Sequence, residues 1–105
     1  MHPSVLAHQA EIAALCRRFG VTRLEVFGSA ARGEDFDPAR SDVDLLVQFT
    51  PKARFDFANF ADLKDSLEAL FGRRVDLIDR PAIEKSHNEF RRARILGDAQ
   101  LLFAA

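Results

Sequence analysis

Apolar side chains at Val5, Ile12, Leu15, Cys16 and Phe19 keep helical spacing, and Gly20 follows as a stop, so residues 4–19 read as an amphipathic helix. The period then changes. In VTRLEVF, residues 21–27, Leu24 and Val26 alternate with polar neighbours, which predicts a strand running into a turn at Gly28. DVDLLVQF, residues 42–49, repeats the two-residue period and sends Val43, Leu45, Val47 and Phe49 to one face, leaving Asp42 and Asp44 on the other. Helical spacing returns at Phe60, Leu63, Leu67, Leu70 and Phe71, closed by Gly72, so residues 56–71 read as a second helix. RRVDLID, residues 73–79, predicts a third strand with Val75 and Leu77 to one side and Asp76 with Ile78 to the other. Asp79 is placed to cap a third helix that holds Pro81 in its first turn and runs toward Leu96 before Gly97. The tail AQLLFAA suits either an edge strand or a loose end. Residues 30–41 are small, polar and contain a proline, which predicts a short helical turn followed by a loop.

The order helix, strand, strand, helix, strand, helix predicts an α+β (mixed α/β) fold: a small mixed sheet of three to four strands with helices packed on one face. With 105 residues, 48% of them hydrophobic, the chain has the size and apolar content of one domain spanning residues 1–105. A strand face carrying Asp42, Asp44 and Asp76 cannot be the packed one, because burying unpaired carboxylates is costly. That face must meet water or cations.

Charge and cysteine content narrow the function. Fifteen basic and sixteen acidic residues give a formal charge of -1, so the basic footprint of a polymeric nucleic-acid binder is missing. No apolar run reaches the roughly 18 residues of a membrane span, and the N-terminus lacks the basic-then-apolar layout of a signal peptide. The expectation is a cytoplasmic protein with no membrane association. Cys16 is the only cysteine, which excludes an internal disulfide and a cysteine-rich zinc site; its place on the apolar helix face makes it a core residue. All ten aromatics are Phe, and most stand at apolar-face positions rather than forming a stacking platform for bases. His2, His8 and His87 are too scattered for a ligand set.

The remaining chemistry lies in two short stretches. In FGSAARGED, Gly28 and Gly33 stand in the frame of the phosphate-binding loop GxxxxGK[ST], yet Glu34 and Asp35 occupy the places of its Lys and Ser or Thr. Two carboxylates there would repel a triphosphate. Gly28 and Ser29 at a strand end still offer backbone N–H groups, a hydroxyl and close approach, and Arg32 can add a positive charge. Asp42 and Asp44, two apart on one strand, lie roughly 6 to 7 Å apart at the backbone and project the same way, so their oxygens can converge on a hard cation. Mg²⁺ is commonly held by one or two carboxylates plus substrate phosphates, and two-metal sites space their ions about 3.5 to 4 Å apart. Asp76 from the third strand would serve the second ion. A carboxylate that meets both the metal and an incoming hydroxyl can also help remove its proton.

GSAARG, then SDVDLLV, then VDLID resembles the minimal nucleotidyltransferase (MNT) family of the DNA polymerase β superfamily, and the likeness covers nearly the whole chain. The resemblance implies a polymerase β palm-like nucleotidyltransferase fold. It implies that Gly28 and Ser29 contact the nucleoside triphosphate, that Asp42 and Asp44 bind Mg²⁺, and that Asp76 is the third carboxylate. The implied reaction moves AMP from ATP to a hydroxyl, releasing pyrophosphate. Many such proteins are antitoxins of a HEPN-domain ribonuclease, silenced by AMP on a tyrosine, and a HEPN toxin is the expected partner. Ala30 to Ser41 makes the spacer before Asp42 longer than the family's usual one by about two residues, with EDFDPAR as the site of insertion; a loop absorbs such an addition at small entropic cost.

Two other readings stay open. One is a non-catalytic module that masks a toxin by contact; the other is a nucleotidyltransferase acting on a small molecule such as an aminoglycoside, although relatives of that kind carry an extra helical domain. Three strands and their helices leave little chain to build an acceptor pocket, which favours an acceptor supplied by another molecule. Arg80 and His87 match the Arg-x4-6-His spacing of HEPN ribonucleases by coincidence, since that fold is all-helical. Arg91, Arg92 and Arg94 form a basic run with two readings: a solvated face near a helix C-terminus, or a docking patch for an acidic partner or a nucleotide.

Overall fold

A computed structural model describes residues 1–33 and 42–105. The insertion site EDFDPAR, and Ser41 after it, lie outside the described residues. The elements are α1 (Pro3–Leu6), α2 (Gln9–Arg18), β1 (Val21–Phe27), α3 (Gly28–Arg32), β2 (Val43–Phe49), α4 (Phe57–Phe71), β3 (Val75–Asp79), α5 (Arg80–Glu84), α6 (Glu89–Asp98) and β4 (Gln100–Ala104). The four strands form one sheet in the order β3-β2-β1-β4. β1 runs antiparallel to both β2 and β4, and β2 runs parallel to β3 across the α4 crossover. The mixed sheet and its helices are the α+β arrangement expected, and the tail is an edge strand, but helices lie on both faces of the sheet rather than on one, because Phe27 and Leu46 give the second face an apolar patch of its own.

Local chemistry explains the boundaries. Asp56 caps α4 by accepting a hydrogen bond from the Asn59 N–H (3.0 Å), and Gly72 ends it at φ 67°. Asp79 caps α5 as its position predicts, accepting from the Ala82 N–H at 3.2 Å with Pro81 in the first turn.

The helix expected from Asp79 to Leu96 is instead two helices. Asn88 accepts from the Arg91 N–H at 3.0 Å and starts α6, the Ser86 hydroxyl accepts from the Asn88 N–H at 3.2 Å, and Arg92 Nη1 donates to the Ser86 carbonyl at 2.6 Å. These side-chain bonds satisfy the backbone locally and so compete with helix continuation. Gly97 consequently lies inside α6 rather than beyond it. The first helix is also divided, with the His2 ring accepting from the Ser4 N–H at 3.1 Å to cap α1.

The main core lies on one face of the sheet. Leu24, Val26, Leu45 and Val47 are fully buried there, covered by Ile12 and Cys16 of α2 and by Leu63 and Leu67 of α4. Burying a side chain of this size stabilises the fold by about 1.5–3 kcal/mol. The opposite face is only partly open. Ile83 of α5 and Ile95 of α6 pack over Phe27 and Leu46 as a second, smaller cluster. Glu25, 4% exposed, is enclosed beside it, 3.1 Å from Arg23 Nε and ion-paired with Arg80. Most described phenylalanines are at least partly buried, while Phe55, Phe57 and Phe90 stand exposed.

Candidate active site

Two pairings in the sheet create the site. The antiparallel register sets Phe27, the last residue of β1, opposite Asp44, and the parallel register sets Asp44 opposite Asp76. The two carboxylates therefore stand on adjacent strands and share a face. β1 then turns at Gly28, whose φ of +69° is the left-handed region that glycine tolerates best. A Cβ placed there would come within 2.5 Å of Asp44 Oδ2. Only a glycine lets this carboxylate lie against the turn. The five-residue α3 follows and closes at Gly33, which donates to the Ser29 carbonyl at 2.8 Å.

Of the six residues singled out by sequence, five line one cavity of about 370 Å³: Gly28, Ser29, Arg32, Asp44 and Asp76. Asp42 is not on its lining. That side chain sits just before β2, half exposed, with Oδ1 3.9 Å from Arg74 Nε. Arg32 carries the expected positive charge but donates through Nη1 to Asp98 Oδ2 at 2.7 Å. An ion pair this exposed contributes little to stability.

The opposite wall is α6, which contributes Arg91, Arg94 and Asp98. The sequence left the basic run between a solvated face and a docking patch; the fold brings Arg91 and Arg94 to the same cavity as the aspartates. Their three-residue spacing on one helix was the available signal. Nothing in the sequence marked Glu25 or Asp98.

Burial, then the negative charges of Asp76 and Asp42, push the Asp44 carboxyl up from its ordinary 3.8 to about 6, and Arg32 opposes the rise. Converging, partly desolvated carboxylates of this kind relieve their repulsion by holding a cation. Among the described residues no set of three or more His, Cys, Asp or Glu side chains is gathered closely enough to hold a metal ion. The adjacent Asp44 and Asp76 do fit Mg²⁺, an oxygen-preferring ion usually held by one or two carboxylates together with substrate phosphates rather than by a complete protein cage.

The chain is similar to several known proteins. The family described as nucleotidyltransferase domain matches residues 12–102. The protein adenylyltransferase MntA of Thermococcus cleftensis is 42% identical over 78 residues, covering 74% of this chain and 72% of its own. A candidate protein adenylyltransferase of Methanocaldococcus jannaschii, MJ0128, is 37% identical over 75 residues, 70% of each chain. Among solved structures, a candidate minimal nucleotidyltransferase superposes with a TM-score of 0.73 at 35% identity over 95% of both chains. The fold also recurs, at TM-score 0.63 and 16% identity, in a complex of a tri-AMPylated Shewanella oneidensis HEPN toxin with an MNT antitoxin, over 96% of this chain and 73% of the matched one. The strand-end glycine, the paired aspartates and these matches lead to one conclusion: the chain is an enzyme of the nucleotidyltransferase family.

Proposed function

We propose that this protein uses Mg²⁺ to transfer AMP from ATP to a hydroxyl, a tyrosine, on a partner HEPN toxin, and so acts as the toxin's antitoxin in the cytoplasm. The observation that carries the reading is the contact between Asp44 and the glycine turn, with Asp76 on the adjacent strand. A group able to hold phosphate and groups able to hold a cation share one small cavity. The adenylyltransferase name of the Thermococcus relative supports AMP as the transferred group, and the Shewanella complex supports a HEPN acceptor.

Each residue has a role in this scheme. Gly28 keeps the turn free of side-chain atoms, and Ser29 offers its hydroxyl and N–H to phosphate oxygens. Asp44 and Asp76, with Asp42 beside them, would hold two Mg²⁺ ions. When bound, these neutralise the triphosphate and favour ionisation of the acceptor hydroxyl. Asp76, the exposed carboxylate on the outer strand, receives that proton as the acceptor oxygen approaches the α-phosphorus. Phosphoryl transfer depends mainly on such positioning and charge stabilisation. The whole chain acts as a single nucleotidyltransferase domain and takes its acceptor surface from the partner.

The test is transfer of label from α-labelled ATP to the cognate toxin in the presence of Mg²⁺. Label is expected on the toxin, absent with a chelator, and reduced about a thousandfold by Asp44→Ala, the scale seen when a charge-stabilising group is removed. Full transfer by a folded Asp42→Ala/Asp44→Ala double variant would sink the mechanism. Loss of the toxin's activity without any label would favour the masking module instead.

A further inference from the structure

Among the described residues the cavity is lined by equal numbers of opposite charges: Asp44, Asp76 and Asp98 against Arg32, Arg91 and Arg94. Arg32 and Asp98 are paired at 2.7 Å and cancel locally. Two carboxylates on the strands are left facing two guanidiniums on α6. Among the described residues no carboxylate lies within ion-pair distance of Arg91 or Arg94. The α6 pair thus stands across open space from the acids.

Like charges three residues apart on one helix repel, and an anion bridging them removes that cost. Ile95, the residue after Arg94, is 5% exposed and packed with Phe27 and Leu46, which holds this part of α6 against the sheet. Charges separated in this way suit a ligand that is cationic at one end and polyanionic at the other. A metal-chelated polyphosphate has that form.

We propose that Arg91 and Arg94 bind the β- and γ-phosphates of the nucleotide and take up the charge of the departing pyrophosphate, an inference that rests on the nucleotide-transfer reading above. As the acceptor oxygen bonds to the α-phosphorus, its proton passes to Asp76. The bond from that phosphorus to the bridging oxygen breaks, and its electron pair leaves with pyrophosphate. Guanidiniums remain charged at any working pH and match phosphate oxygens two at a time, so they stabilise the leaving end as charge builds there.

The test is equilibrium binding of ATP and AMP to the full chain with Mg²⁺ and no acceptor, with thermal melts to confirm folding. Arg91→Ala/Arg94→Ala is expected to weaken ATP about a hundredfold, about tenfold per arginine, the scale of charge-assisted hydrogen bonds. AMP, which lacks the two outer phosphates, should bind almost as to the wild type. Arg92→Ala is the control, because that guanidinium bonds the Ser86 carbonyl at 2.6 Å and does not line the cavity. Unchanged ATP affinity in the double variant overturns the proposal, and so does an equal loss for ATP and AMP. Intact ATP affinity with weakened toxin binding overturns it in favour of a protein-docking patch beside the exposed Phe90. Because no acceptor is present, failure to label a toxin would remove the proposed function without altering this result.

Discussion

Glu25 and Asp44 are carboxylates on neighbouring strands and the same sheet face, yet their surroundings differ in the way that separates a structural acid from a functional one. Glu25 is enclosed and answered by Arg80 and Arg23. Asp44 is also partly buried, but burial and the negative charges of Asp76 and Asp42 outweigh Arg32, and its carboxyl is pushed up to about 6. An acid satisfied from within the fold needs nothing more, whereas one set among other acids is held ionised at a cost that a bound cation removes. The other face of the same strands, with Leu24, Val26, Leu45 and Val47 fully buried, supplies the stability that makes this arrangement possible.

Substitutions on each side should separate these roles. Leu45→Ala on the apolar face should cost the most stability, about 3 kcal/mol, as expected for a large-to-small change at a fully buried site. Urea unfolding would measure it, and AMP transfer per folded molecule should stay near the wild-type level; a loss of transfer in fully folded protein would mean the faces are coupled. Arg80→Ala should come next, at about 2 kcal/mol, because Glu25 would keep Arg23 but lose its second partner in an enclosed place. A cost near zero in the same unfolding experiment would show that Arg23 alone satisfies Glu25.

The smallest effect has the opposite sign. Because the folded Asp44 carboxyl is raised above its unfolded value, the protonated form is the one the fold favours. That contribution is present below about pH 4 and lost as pH rises through about 6. Asp44→Asn does not titrate, so in metal-free buffer it should be more stable than the wild type by about 1 kcal/mol above pH 7, after discount for a half-exposed group. The gain should vanish near pH 4, and millimolar Mg²⁺ should raise the melting temperature of the wild type and not of the variant. A pH-independent gain would assign the effect to packing rather than charge.

Some parts of the candidate site are legible in the sequence and others are not, for definable reasons. Gly28, Asp44 and Asp76 were legible because strand alternation is local and the glycine sits at a strand end. Arg91 and Arg94 were visible as charges but not as site residues. Their direction depended on a break in the helix, made by the side chains of Ser86 and Asn88, that apolar spacing does not report. Asp42 was grouped with Asp44 by the same alternation, yet it lies one residue before the ladder begins and off the cavity lining.

By itself, the sequence determined which residues of each strand share a face, where the turns at Gly28 and Gly72 and the Asp79 cap fall, and the order of the acidic residues along the strands. These follow from short-range sterics and hydrogen bonding, which repeat with the period of the backbone. Only the tertiary structure decided that β2 lies between β1 and β3, that Asp44 stands beside Asp76 against Gly28, and that Glu25 finds Arg80 while Asp44 finds further acids. Those outcomes depend on register and packing between segments far apart in the chain, where the burial of Leu45, Leu46 and Val47 sets the pairing and the polar side chains take the positions that remain.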